Sequence, residues 1–294
     1  MSQKENAYMI TNKELPHWLD ELIFKQLGAK YCRSNKDMTV IDWDKNDVLN
    51  YLGTYFPRSY AEAYCIFFNT LSPLQNFCPR CGATGYWLEE WFFKTEISVF
   101  DFGCGTGGEI IGMLDALDAL KEFKPGIRKV NIVAFDGNQH ALRLFEKIIK
   151  AYSEKSDIDI CYNVLPFEID DFYDLSILDS VISQKFDIIM TFKAICEFVT
   201  KDRFEKQNAY KHFAQCFLPK LTDDGIMLIT DVTSYNNVSQ EWLPKMMDSG
   251  LAEWSCNVVG QNTGYNQAFY VSHSQFRNDV SKIAYRIINN DFVL

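Results

Sequence analysis

One stretch constrains this chain more than any other: Val99-Phe-Asp-Phe-Gly-Cys-Gly-Thr-Gly-Gly-Glu109. A β-rich run, Ile97 to Phe102, leads into it, and an apolar-periodic segment, Glu109 to Leu120, leaves it. A glycine turn between a strand and a helix lets backbone approach a ligand closely and presents the helix's unpaired N–H groups to it. The spacing satisfies two patterns at once. Gly103, Gly105 and Gly108 read as G-x-G-x-x-G, while Gly103, Gly105 and Gly107 read as G-x-G-x-G. Asp101 separates them, because an acid two positions before the first glycine repels a pyrophosphate and suits a cationic amino group.

The same stretch opens a regular alternation. Strands are expected at 97–102, 130–135, 159–165, 186–191 and 225–231, with helices at 109–120, 138–151, 171–183 and 200–217 between them. Such alternation predicts a mostly parallel sheet covered by helices on both faces. A helix near 240–248 follows, then two strand candidates, 254–259 and 267–271. The turn chemistry of Gly260-Gln-Asn-Thr-Gly-Tyr-Asn266 between them predicts an antiparallel closing pair.

The first 95 residues differ and read as mainly helical. Thr11-Asn-Lys-Glu14 has the form of a capping box ahead of Pro16, and Leu15, Trp18, Leu19, Leu22, Ile23 and Leu27 follow at helical spacing. Further helices are expected at 44–52 and 59–71. Residues 72–85 are turn-rich, and Tyr86, Trp87, Trp91, Phe92 and Phe93 form a packing surface. The boundary falls near residue 95, with 1–95 as a lid and substrate-selecting region and 96–294 as the α/β domain.

Composition narrows the function. Lys and Arg total 29 against 39 Asp and Glu, a formal charge of −10, which disfavours duplex DNA and a polybasic binding role. No apolar run reaches the ~18 residues of a membrane span, and the start has no signal-peptide core. Nine cysteines without such a signal read as reduced thiols of a cytoplasmic protein.

Phe100-Asp-Phe-Gly-Cys-Gly-Thr-Gly-Gly resembles the first motif of class I S-adenosylmethionine-dependent methyltransferases. Phe186-Asp-Ile-Ile-Met-Thr-Phe and Asp224-Gly-Ile-Met-Leu-Ile-Thr-Asp resemble later motifs of that family, and the resemblance spans roughly residues 97–272. It implies a Rossmann-like seven-stranded sheet with an antiparallel C-terminal edge pair. It also implies S-adenosylmethionine as cofactor. Asp101 then lies near the methionine amino group, and Gly103, Gly105 and Gly107 line the close approach. N–H groups near Gly107 and Gly108 face the carboxylate, Asp136 takes the ribose hydroxyls, and Glu168 or Asp170 takes the adenine amine.

Methyl transfer from a sulfonium needs alignment and desolvation rather than a fixed triad. The relevant segment follows the fourth strand: Thr191-Phe-Lys-Ala-Ile-Cys-Glu-Phe198. It lacks the Asn/Asp-Pro-Pro-Tyr/Phe run associated with methylation of exocyclic or amide nitrogens. Phe192 is placed to face the sulfonium or stack on an acceptor. Glu197 either orients and deprotonates a nucleophile or is a surface carboxylate at a helix start. A fainter resemblance, carried by Tyr55-Phe-Pro-Arg-Ser-Tyr-Ala-Glu-Ala-Tyr64 with Cys196-Glu-Phe, is to the methyltransferase-like proteins of small ribosomal subunits. The acceptor classes left open are a small molecule, a protein or RNA. The alternative is an inactive methyltransferase-like binding or assembly factor, and a nicotinamide enzyme is disfavoured by Asp101.

Cys78-Pro-Arg-Cys81 is shaped like one zinc knuckle. Cys32, Cys65 and His17 are the upstream candidates to complete a structural zinc site. A metal-free turn and a redox dithiol are the other readings.

Overall fold

The computed structural model describes residues 9–33, 44–72, 94–122, 126–199, 208–237 and 239–290. The first strand, β1 (Asn12–Glu14), precedes a short helix α1 (His17–Asp20), which widens into a π-helical turn at Glu21–Gln26. Next comes the long helix α2 (Lys45–Leu71). The alternating part follows as β2 (Glu96–Phe102), α3 (Gly108–Ala119), β3 (Lys129–Phe135), α4 (Gln139–Ser153), β4 (Asp159–Leu165), α5 (Ser176–Val181), β5 (Phe186–Phe192) and α6 (Ile195–Val199). It continues through α7 (Ala209–Phe217) and β6 (Leu221–Val232). A small hairpin, β7 (Tyr235–Asn236) with β8 (Glu241–Trp242), leads to α8 (Leu243–Glu253), β9 (Asn257–Gln261), β10 (Gln267–His273) and β11 (Phe276–Asn289).

The main sheet has nine strands among the described residues, in the order β1-β10-β11-β6-β5-β2-β3-β4, with β9 also on β11. Strands β2 to β6 are mutually parallel, and β11 runs antiparallel to β6, β9 and β10. Side chains alternate across the sheet. Ile188 and Met190 of β5 join a core layer with α2, α3 and α4, while Phe186 and Ile189 join the opposite layer with α5, α7 and α8. This is an α/β sheet clad on both faces.

Several expectations are corrected. The sheet has nine strands rather than seven, and 254–259 and 267–271 do not pair with each other. The strands found there, β9 and β10, bind successive lengths of β11, which sequence reading missed. The first half of β11, Phe276-Arg-Asn-Asp-Val-Ser-Lys, is too polar to signal a strand by apolar pattern alone. The Thr11–Glu14 capping box is instead strand β1. The free edge of β10 accepts it through Tyr270 N–H to Thr11 O at 2.8 Å, and Leu15 N–H bonds Ser272 O at 3.0 Å. The helix expected over 171–183 is only Ser176–Val181. The one expected from 200 is described from Ala209, capped by Asn208.

The two helices expected at 44–52 and 59–71 are one helix, α2. Asp44 caps it, accepting from Asn46 N–H at 2.6 Å and Asp47 N–H at 3.0 Å, while Asp47 reaches back to the Asp44 N–H. Pro57 lies inside and removes one backbone donor, yet the helix continues because burial on both sides of it outweighs that loss. Helix α2 crosses α3 almost backbone to backbone. A Cβ at Gly108 would lie 2.6 Å from the Phe56 carbonyl oxygen, and one at Gly112 would lie 2.2 Å from that of Tyr60. On the far side of α2, Arg58 forks onto Asp279 of β11, Nε to Oδ2 at 2.8 Å and Nη2 to Oδ1 at 2.9 Å.

The close crossing gives a test with a reversed sign. In an ordinary exposed helix Gly→Ala stabilises by about 1 kcal/mol. Gly112→Ala should instead destabilise by about 1–3 kcal/mol, because the added methyl overpacks against rigid backbone. The urea midpoint of the variant should therefore fall. A midpoint equal to or above that of the parent would show that the two helices separate at no cost.

Candidate active site

Chain order reverses between β2 and β5. From β2 the chain passes to β3 and β4 on one side, and it returns to β5 and β6 on the other. A crevice opens at the carboxyl ends of strands where the order switches in this way. The glycine turn after β2, Asp136 after β3 and Lys193-Ala194 after β5 meet there.

Each glycine of the turn has positive φ: 77° at Gly103, 51° at Gly105 and 79° at Gly107. Two of them are also required by packing. A Cβ at Gly103 would lie 2.5 Å from Ala194 Cβ, and one at Gly107 would lie 2.2 Å from the Phe145 ring. At Gly105 the nearest atom is Tyr51 Oη at 2.9 Å, the end of a side chain. The space above Gly105 is thus shared with an aromatic residue of α2. Sequence reasoning missed Tyr51, since nothing in residues 45–71 announces that α2 reaches the turn.

The turn's own N–H groups are largely spent. Gly103 and Cys104 donate to the Phe135 carbonyl at 2.8 and 3.0 Å, and Gly107 donates to the Cys104 carbonyl at 2.7 Å. Gly105 N–H donates to Asp136 Oδ2 at 2.7 Å. Asp136 Oδ1 accepts from Asn138 N–H, also at 2.7 Å, and Asn138 in turn caps α4 through the N–H groups of His140 and Ala141. Asp136 therefore clamps the turn and still has lone pairs to offer, since a carboxylate has about four acceptor positions. Burial raises its carboxyl above the ordinary range, against the pull of the Asn138 and Gly105 N–H groups.

The cleft is lined by Gly103, Gly105, Asp136, Glu168, Phe192 and Glu197 of the residues picked out by sequence, together with Tyr51, Phe135 and Lys193. Phe192 is buried in its wall, and Glu168 is exposed at its rim. Glu197 is half-buried on α6, its N–H bonded to the Ala194 carbonyl at 3.1 Å. Gly107 and the exposed Asp170 are not among the lining residues. Asp101 lies beneath the turn rather than in the cleft, fully buried, with no hydrogen-bond partner for either carboxylate oxygen among the described residues.

Below the turn sits an excess of acid. Burial, then Glu109 and Asp136, push Asp101 well above the carboxylate range. Burial pushes Glu109 up to about 8, against its own N–H and Lys193 and with Glu62 and Asp136 adding to the shift. The cation of this cluster is Lys193, whose Nζ lies 2.7 Å from Glu62 Oε2 of α2. Two buried carboxylic acids that cannot share a site as anions either keep a proton or await a cation. Here both acids are pushed toward their protonated forms.

Cys196 donates to the Lys193 carbonyl at 3.0 Å. Burial and the neighbouring Asp231 push its thiol well up, so it is a packed thiol rather than a nucleophile. Cys78 and Cys81 lie outside the described residues. Of their expected partners, Cys65 faces the core with its thiol pushed up to about 12, and the His17 side chain is 85 % exposed. Among the described residues no group of three or more His, Cys, Asp or Glu could hold a metal, so zinc has no support there.

The acid cluster sets a pH dependence. Glu109 titrates near 8 when folded and near its ordinary 4.5 when unfolded, so the folded state holds the extra proton between those values. Its contribution to stability is full below about 4.5 and is lost as pH rises through about 8. The urea midpoint should fall between pH 6 and pH 8.5, and Glu109→Gln should fall less, since the amide does not ionise. Equal slopes for the two proteins would place the shift elsewhere.

Residues 93–290 match the model of a family described as a methyltransferase domain. No protein of curated function matches the chain. Among solved structures it is similar to the precorrin-6y C5,15-methyltransferase of Geobacter metallireducens, at 9 % identity and TM-score 0.38, with 74 % of this chain and 95 % of that one covered. It is similar to the rRNA methyltransferase AviRa of Streptomyces viridochromogenes, at 11 % identity and TM-score 0.38, covering 67 % and 78 %. The CcbJ methyltransferase of Streptomyces caelestis gives 9 % identity and TM-score 0.42, covering 79 % and 89 %. With the family match spanning about two thirds of its length, the chain belongs to the methyltransferase-domain family.

Proposed function

We propose that the cleft over Gly105 and Asp136 holds S-adenosylmethionine and that the acceptor enters beside Phe192 and Glu197. The observation that carries this is Asp136 itself. It is clamped to the Gly105 and Asn138 N–H groups, lines the crevice, and as a carboxylate retains further acceptor positions. Two ribose hydroxyls match that capacity. Glu168 lines the cleft at its rim, where it could accept from an exocyclic amine.

When bound, the donor supplies a methyl group already activated on a positive sulfur. The chain's own task is then alignment, exclusion of water and proton removal. Phe192 and Tyr51 wall the cleft with aromatic surface, which tolerates a sulfonium while excluding water. Glu197, half in solvent at the start of α6, is the group placed to take a proton from the acceptor.

The acceptor we infer is not a polyanion. Asp136, Glu168 and Glu197 border the cleft, and the whole chain carries −10. Arg58, in the stretch resembling the ribosomal proteins, spends its charge on Asp279 inside the fold. A small molecule or a protein side chain fits these charges better than RNA does.

Calorimetry should show binding of S-adenosylmethionine and none of NAD. Asp136→Ala should weaken donor binding roughly 10- to 150-fold, the value of a hydrogen bond or two to a charged group. Some stability should be lost too, because the Gly105 and Asn138 N–H groups lose their acceptor. Unchanged affinity in a folded variant would make Asp136 a turn clamp only. Methyl-labelled donor incubated with a fractionated cell extract should mark the small-molecule or protein fraction. Label confined to RNA would overturn the acceptor assignment.

A further inference from the structure

The amino-acid end of the donor carries both an ammonium and a carboxylate. Resting on the reading that the cleft holds this donor, we propose that Lys193 anchors its carboxylate and that Glu62, from α2, is the residue that positions Lys193.

The usual alternative, a carboxylate on the turn's N–H groups, is largely closed in this chain. Those of Gly103, Cys104, Gly105 and Gly107 are bonded within the protein. At Gly108, the start of α3, an added Cβ would lie 2.6 Å from the Phe56 carbonyl oxygen, so α2 packs closely against that side of the turn. With four N–H groups of the turn already bonded, a carboxylate entering the site gains most from a cationic side chain. Among the described residues lining the cleft, Lys193 is the cationic one.

Lys193 is also held in an unusual way. Its φ is +60°, in the left-handed region that residues other than glycine rarely occupy. Strain of this kind persists only where surroundings enforce it, and it concentrates at ligand sites. Two bonds enforce it here. The Lys193 N–H donates to the Thr230 carbonyl at 3.0 Å, and Nζ donates to Glu62 Oε2 at 2.7 Å. The Lys193 side chain is 12 % exposed and that of Glu62 0 %.

Neither member of the pair is saturated. An ammonium has three N–H donors, and Glu62 is the partner found for one of them. Glu62 Oε1 is buried with no hydrogen-bond partner among the described residues. An ion pair serving stability alone would be expected to satisfy both groups, because buried charges gain little unless fully bonded. An incompletely bonded lysine beside a cradle for the donor is what a carboxylate anchor requires before its ligand arrives.

The test compares two ligands that differ only in the carboxylate: S-adenosylmethionine and its decarboxylated form. Calorimetry on the parent protein should show the complete donor binding at least tenfold more tightly. Lys193→Met should remove that preference and leave affinity for the decarboxylated ligand within about threefold. Lys193→Arg should keep most of the preference. Glu62→Gln should reduce it while leaving the decarboxylated ligand unaffected, as expected of a positioning residue. Since Lys193→Met leaves Glu62 as a lone buried charge, the double variant Glu62→Gln/Lys193→Met provides a folded counterpart, checked by its thermal melt.

Equal affinity of the parent for both ligands would overturn the assignment without touching the donor reading, and it requires no variant. Parallel loss of both ligands in the Lys193 variants would make the pair a structural tie. Binding of neither ligand by the parent would remove the donor reading, and this proposal with it.

Discussion

The close crossing of α2 on α3 is the contact on which the rest of the molecule depends. Two glycines one turn apart, Gly108 and Gly112, let the α2 backbone lie directly on α3, and the carbonyls of Phe56 and Tyr60 occupy the space where side chains would stand. That contact fixes α2 in rotation and in register. Residues 51, 55, 58 and 62 then form one stripe at helical spacing. The stripe delivers Tyr51 to Gly105, Arg58 to Asp279 on β11, and Glu62 to Lys193 at the end of β5. A single helix, α2, thereby touches the glycine turn, strand β11 and the loop after β5.

This placement makes helix α2 part of the cleft wall. Helix α2 shares a core layer with β2, β3, β5 and β6, so its buried face is continuous with the α/β core. Tyr51 narrows the space over the turn, and Glu62 adds a buried carboxylate to a region already holding Asp101, Glu109 and Asp136. Concentrating acids in low dielectric is unfavourable unless they are protonated, bonded or opposed by a cation. All three occur: Glu109 is pushed up to about 8, Asp136 is held by two N–H groups, and Glu62 has Lys193. Asp101, without a hydrogen-bond partner among the described residues, is relieved in the first way, its carboxyl pushed well above the ordinary range by burial and by Glu109 and Asp136.

The motif glycines show how one pattern serves two ends. Gly103 and Gly107 admit Ala194 and the Phe145 ring, so they serve packing at the switch point and beneath α4. Gly105 alone of the three faces both the cleft and a movable side chain. A pattern read as uniformly ligand-facing thus divides into two structural positions and one candidate contact.

Local chemistry was enough to determine the alternating core. The strand at 97–102, the glycine turn, the helix after it, and Asp136 ending the next strand all rest on periodicity and capping over short spans, which a sequence states directly. Asn138 as the cap of α4 is of the same kind. What tertiary structure alone decided depends on partners distant in the chain. Strand β11 is polar in its first half, and it is a strand because β6, β9 and β10 surround it. The segment Asn12–Glu14 reads as a helix cap, and the open edge of β10 turns it into a strand. Pro57 argues for a break, and burial keeps α2 whole. The pairing of Lys193 with Glu62 joins residues 131 positions apart, and the contact of Tyr51 with Gly105 depends on how closely two helices pack. Neither is written in spacing or composition, because each exists only after the α2–α3 crossing has formed.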